Sequence, residues 1–172
     1  MTLARARASY SPTAEAKLIQ ITIIPYTRRL TGIQHFVLTD DYSRKSWVIL
    51  LSLKSETEKR LKQWVAQVER ECGHSLERLR TDNSGEFIKH TLKDWLTTRG
   101  IKQEFTPPRS PQSNGVAERM NRTLQDKARS MMAQSGLRGG SWGEVFLAAS
   151  YLRNCGPVSN QSSTPQEMWS GK

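Results

Sequence analysis

Two carboxylates in this chain occupy positions where acids do metal chemistry. Asp82 lies in Arg80-Thr81-Asp82-Asn83, where a strand gives way to a loop, and Glu118 lies in Pro111-Gln112-Ser113-Asn114-Gly115-Val116-Ala117-Glu118-Arg119, at the start of a helix; 35 residues separate them. In open α/β sheets ligands collect outside the carboxyl ends of strands, so Asp82 is well placed to hold a cation. Each acid has an ordinary alternative role. Asp82 could hydrogen-bond its own turn, and Glu118 could pair with Arg122 at i,i+4, worth only ~0.3–0.5 kcal/mol. Basic residues gather nearby: residues 99–138 carry eight Lys and Arg against three acids, a local charge of +5. Arg109, Arg119, Arg122 and Lys127, with the neutral donors Gln112 and Asn114 on a loop beside Glu118, suit contact with phosphates.

Hydrophobic spacing predicts the elements that must position these residues. Leu18 to Ile24 is a β-branched run closed by Pro25, and His35–Thr39 and Ser46–Leu53 read as two more strands joined through Asp40-Asp41-Tyr42-Ser43-Arg44-Lys45. Ser55 with Glu58 predicts a capping box. Leu61, Trp64, Val65, Val68 and Cys72 then line one face of a helix ended by Gly73. Leu76–Thr81 is a fourth strand. A helix carrying Ile88, Leu92, Trp95 and Leu96 runs to Gly100, and Ile101–Phe105 is a fifth strand. Pro107 to Pro111 reads as a stiff loop. A long helix follows from about Asn114 to Ser135, with Val116, Met120, Leu124 and Met131 on one side. The last long helix should start at a second capping box, Ser141 with Glu144, and bury Trp142, Val145, Phe146, Ala149 and Leu152. Thr164-Pro165-Gln166-Glu167 repeats the capping pattern, with proline in the tolerated first-turn slot. The five tryptophans fall on apolar positions and read as core. Three strands followed by alternating helices and strands define an α/β sheet with helices on its faces.

Composition narrows the function classes. The 172 residues hold 26 Lys+Arg against 16 Asp+Glu, a net charge of +10 that favours a polyanionic partner. With 36% hydrophobic and 24% charged residues, the chain is neither membrane-spanning nor fully disordered. The longest near-apolar stretches fall far short of the ~20 residues a bilayer requires. Cys72 and Cys155 cannot form a disulfide framework, and with His35, His74 and His90 they make no zinc-finger spacing. Residues 1–16, acid-poor and bearing Arg5 and Arg7, read as a disordered leader with no secretory signal, a transit peptide being the alternative; residues 17–172 read as one domain.

Residues 80–87 (Arg-Thr-Asp-Asn-Ser-Gly-Glu-Phe) and 111–119, in this order and at this spacing, resemble the retroviral integrase superfamily, and most closely the copia-type retrotransposon integrases. Asp40 to Lys45 resembles that family's second-strand signature, and Thr164 to Lys172 its closing segment, so the likeness covers about residues 18–172. It implies a ribonuclease-H-like fold, a mixed five-stranded sheet with helices on both faces. Three carboxylates would hold two Mg²⁺ (or Mn²⁺) ions that cut and join DNA, with Asp82 resembling the second acid and Glu118 the third. It also implies DNA as partner, homo-oligomers, further polyprotein domains and nuclear residence. Hard, hydrated Mg²⁺ prefers carboxylate oxygens, and a metal pair stabilises both the attacking and the leaving oxygen.

The family's first acid sits in its opening strand, and here the chain departs from the pattern. In Leu18-Ile19-Gln20-Ile21-Thr22-Ile23-Ile24-Pro25 the acid slot falls at Ile21 counting back from Pro25, or at Thr22 counting forward from Leu18; neither is acidic. Asp40 and Asp41 are the candidate substitutes. Two readings follow: an integrase-type polynucleotidyl transferase impaired by the missing acid, or a non-catalytic, domesticated or degenerate nucleic-acid-binding remnant. A ribonuclease-H-like nuclease is a third reading, against which the copia-like loop argues.

Overall fold

The computed structural model describes residues 19–27, 34–81, 90–105, 111–137, 139–158 and 161–171; for residues 19–27, 111–117 and 139 it describes the backbone alone. Strands β1 (Ile19–Thr27), β2 (Gln34–Asp40) and β3 (Ser46–Leu51) are joined as antiparallel neighbours. Helix α1 (Thr57–Cys72) leads to β4 (Leu76–Thr81), which pairs in parallel with β1, and α2 (His90–Thr98) leads to β5 (Lys102–Phe105), parallel to β4. The strand order is β3-β2-β1-β4-β5. Helices α3 (Pro111–Ser135), α4 (Trp142–Asn154) and α5 (Pro165–Ser170) complete the chain.

Alternation along β2 and β3 divides the apolar side chains between two cores. Phe36, Leu38 and Leu51 pack with Leu61, Trp64, Val65 and Val68 of α1 and Leu92 and Leu96 of α2 on one face of the sheet. Val37 and Val48 pack with Met120, Leu124 and Ala128 of α3 and with Trp142, Val145, Phe146 and Ala149 of α4 on the other. A strand covered on both faces is buried at nearly every position, and in β2 every residue from His35 to Asp40 is buried, including the polar His35, Thr39 and Asp40. Trp47, half-buried, meets Trp64 and Trp169 edge-on at ring separations of 5.3 and 5.0 Å, which ties α5 to the sheet. The ammonium of Lys45 lies 5.1 Å from the Trp47 ring.

Several boundaries differ from the sequence expectation, each for a local reason. β1 does not stop at Pro25 but continues to Thr27, with Pro25 in register with Phe36. Among the described residues its pairing with β4 extends to Thr22, so at Pro25 the strand has β2 as its one described neighbour, and a residue lacking an N–H is tolerated there. The Ser55–Glu58 capping box does not form. Lys54–Glu56 is a 3₁₀ turn, Glu56 is the N-cap of α1 without a side-chain cap, and Glu58 instead accepts from Lys62 (2.6 Å) and Thr91 (2.7 Å). Ser141 makes no cap bond either, because its ψ of 9° lies outside the extended region that a capping hydroxyl needs. The Thr164–Glu167 box does form, with both reciprocal bonds present and Pro165 in the first turn. Leu152 is not buried; it is 52% exposed beside a cleft described below. Gly73 and Gly100 take φ of 70° and 69° just past α1 and α2, the left-handed conformation that suits a residue without a Cβ. Ile88 lies outside the described residues.

One buried polar link had no forerunner in the sequence pattern. The Asn154 side chain, at the end of α4, accepts from the Ser46 N–H (2.9 Å) and donates to the Ser46 carbonyl (2.7 Å), copying a strand's pairing at the start of β3. Ser150 donates to the same carbonyl at 3.1 Å. Replacing Asn154 with Ala strands the buried Ser46 N–H and should cost about 2 kcal/mol in urea denaturation.

His35 is 1% exposed and lies 4.4 Å from the Phe146 ring, and burial holds its pKa down to about 4. The unfolded chain therefore takes up a proton near pH 6.5 that the folded chain refuses until about pH 4. Stability is complete above pH 6.5 and falls as pH drops through that window. Denaturation at pH 5 should show a loss of about 2 kcal/mol relative to pH 7.5, and His35→Leu should remove this dependence.

Candidate nucleic-acid interface and acidic site

The opening strand, the β2–β3 turn and the end of β4 meet at one end of the sheet. Across β1 and β2, Ile21 is in register with Asp40 and Thr22 with Thr39. Directly opposed residues of an antiparallel pair share a face, and successive residues alternate. Thr39 therefore falls on the side of Val37, which α3 and α4 cover, whereas Asp40 falls on the side of Phe36 and Leu38, covered by α1 and α2. On its other edge β1 runs parallel to β4, with Thr22 in register with Arg80.

Neither candidate substitute acid is unengaged. Asp40 is 3% exposed, and its Oδ2 accepts from the Ser43 N–H (2.7 Å) and from the Ser43 hydroxyl (2.6 Å), closing its own turn. Asp41 stands 3.5 Å from Arg80 and 4.0 Å from Arg44. Burial pushes the Asp41 carboxyl up from its ordinary range, with Arg80 and Arg44 opposing. Arg80 also reaches Glu104 of β5 at 3.4 Å. Burial works to raise Glu104, but the Arg80 hydrogen bond and the charges of Arg80, Lys102 and Arg78 prevail and hold its pKa below the usual value. Both β2–β3 aspartates thus have structural partners, as an acid in a polar turn usually does.

Of the residues singled out in the sequence, Asp82 and Arg109 lie outside the described residues; Asp82 directly follows Thr81, the last residue of β4. Gln112 and Asn114 belong to the first turns of α3, not to a loop, because α3 starts at Pro111, where proline's fixed φ suits a first helical position. Glu118, Arg119, Arg122 and Lys127 are all exposed on α3. At about 100° per residue, Arg122 and Arg129 follow Glu118 along one stripe, while Arg119, Thr123 and Lys127 form a second stripe that begins about 60° around the helix from Arg122, at Arg119, and ends on the far side from Glu118, at Lys127.

The second stripe faces a cleft of about 1020 Å³ bounded by α3, the β2–β3 turn and the chain after α4, and lined among others by Arg44, Arg119, Lys127 and Arg153. Sequence spacing did not single out Arg44 or Arg153. Arg44 has φ of 61°, a left-handed conformation costing a non-glycine residue about 1 kcal/mol, and its carbonyl accepts from the Arg153 guanidinium.

Among the described residues no group of three or more His, Cys, Asp or Glu side chains could hold a metal ion. Glu118 is the one described member of the expected pair, so the described acids alone do not make a dication site, and no reaction step is derived through one. No helix among the described residues is long and apolar enough to cross a membrane.

Residues 13–111 match the family model of an integrase core domain, and residues 99–139 match a second integrase core domain model. The chain belongs to the integrase core domain family. A retrovirus-related Pol polyprotein from the Nicotiana tabacum transposon TNT 1-94 is 38% identical over 96% of this chain, which spans 13% of that polyprotein. The fold is similar to that of a chain in a simian T-cell lymphotropic virus intasome, solved in complex with the PP2A regulatory subunit B56 gamma (TM-score 0.70, 16% identity, 92% of this chain and 60% of that one). It is also similar to the HTLV-2 integrase catalytic core, solved in complex with magnesium (TM-score 0.66, 18% identity, 90% of this chain and 99% of that one). The architecture is thus an α/β fold resembling integrase catalytic cores.

Proposed function

We propose that this integrase core is of the copia type, faces DNA through α3, and is impaired in strand transfer because its opening strand supplies no acid. The observation that carries this reading is the strand register. Of the two candidate slots, position 22 is in register with Thr39, on the side that α3 covers, while position 21 is in register with Asp40, on the opposite side. A one-residue step in a strand changes faces, so only one slot can serve a site shared with Glu118. Position 22 is threonine, whose hydroxyl carries no charge to offset a dication.

In this reading Asp82, directly after β4, and Glu118, on α3, are the two remaining metal ligands, and Mg²⁺ or Mn²⁺ would supply Lewis-acid stabilisation at phosphorus when bound. Losing one of three acids leaves the charge of a metal pair poorly neutralised. Asp41, already paired with Arg80 and Arg44, and Asp40, closing its turn, are poor substitutes. Arg122, Gln112, Asn114 and Arg109, with Arg119 and Lys127 further round α3, supply phosphate contacts that position DNA without reading its sequence. Oligomers, further polyprotein domains and nuclear residence belong to the same proposal.

A disintegration assay on a branched oligonucleotide with Mn²⁺ tests the slot. The natural chain should show little or no turnover, Thr22→Asp should create activity that a second substitution, Asp82→Asn, abolishes, and Ile21→Asp should create none. Turnover by the natural chain that Asp82→Asn abolishes would overturn the impaired reading, and activity from Ile21→Asp alone would overturn the choice of slot. Duplex binding by the natural chain should weaken steeply with salt, since each phosphate neutralised releases counterions. Fluorescence anisotropy that stays level between low and physiological salt would show that the α3 cations do not engage DNA.

A further inference from the structure

The cleft beside α3 is not part of the Glu118 face. Its cations come from three separate elements: Arg44 from the β2–β3 turn, Arg119 and Lys127 from α3, and Arg153 from the last turn of α4. Among the described residues of the lining there is no acid. Asp41 pairs with Arg44 at 4.0 Å but stands closer to Arg80, at 3.5 Å. Like charges brought together by folding repel one another, and the repulsion is relieved when an anion enters. Arg153 registers this: burial and the neighbouring Arg44 charge hold its pKa down to about 10. One donor of its guanidinium is held by the Arg44 carbonyl.

We propose that this cleft is an anion site in its own right, taking a ligand with two or more adjacent phosphate groups. The number of charges argues for more than one phosphate, since four cations would leave a single phosphate heavily outnumbered. Guanidinium forks match the oxygen spacing of phosphate, and three of the four cations are arginines. A volume of about 1020 Å³ is at the upper end for small-ligand clefts and far exceeds the needs of a simple ion. Gln161 Oε1, buried without a hydrogen-bond partner among the described residues, sits in the same lining; rotating its amide would turn N–H donors towards an anion. Adjacent phosphates can come from a nucleic-acid backbone or from a free polyphosphate.

The probe is sodium tripolyphosphate, titrated calorimetrically into the full chain at physiological salt. Saturable one-site binding is expected. Lys127→Glu and Arg119→Glu, both at exposed positions on α3, should each weaken it about tenfold or more, the scale of a lost charge-assisted contact. Lys59→Glu, exposed on α1 across the sheet from the cleft, should change it by no more than about twofold, as expected for a screened charge. Near-ultraviolet circular dichroism confirms that each variant is folded. A short duplex DNA that displaces tripolyphosphate identifies the nucleic-acid backbone as the source of the phosphates, and one that fails to displace it identifies free polyphosphate; either result upholds the site. Absence of saturable binding, or equal losses in all three variants, overturns it. Tripolyphosphate makes no demand on Glu118 or on position 22, so an inactive Thr22→Asp variant leaves this measurement unaffected.

Discussion

The fold depends on β2 being buried on both sides at once. Phe36 and Leu38 need α1 and α2, and His35 and Val37 need α4 and the core it shares with α3, so neither layer can be removed without exposing one side of an inner strand. The geometry at the candidate site's end of the sheet follows from this. Once alternation assigns Val37 and Thr39 to the α3 side, pairing with β1 fixes which position of the opening strand shares that side.

Much of the architecture was legible because the relevant signals are local. Leu76–Thr81 was placed to the residue, and the helical face of Leu61, Trp64, Val65 and Val68 lies in the core as its spacing requires. The Thr164–Glu167 cap also formed as read. Failures came where a tertiary partner outbid a local one. Glu58 had the spacing for a cap, but Lys62 and Thr91 took its carboxylate. Leu152 continued the apolar pattern of α4, yet the chain after that helix leaves it at the edge of a cleft. Pro25 looked like a terminator because sequence cannot show that β1 has lost one neighbour by that point.

For the candidate site the sequence offered residue types but no arrangement. Arg119, Arg122 and Lys127 look like one basic cluster when counted along the chain, but the helix spreads them over about 140° of its circumference. Arg44 and Arg153, 109 positions apart, share a hydrogen bond that no spacing rule could anticipate. The ambiguity between positions 21 and 22 could not be settled by counting from either flank, since it is a question of register, and register is a property of two strands.

The clasp between Asn154 and Ser46 has a consequence for how the chain comes off the ribosome. The first three strands are sequential antiparallel neighbours and can begin to associate early, but the helix carrying Asn154 emerges more than a hundred residues after the strand it fastens. During that interval the side of the young sheet bearing Val37 and Val48 stays bare, the greasy, long-range gap that slows folding and invites chaperones or self-association. Completion of the domain is therefore timed by a helix made more than a hundred residues after the strand it fastens.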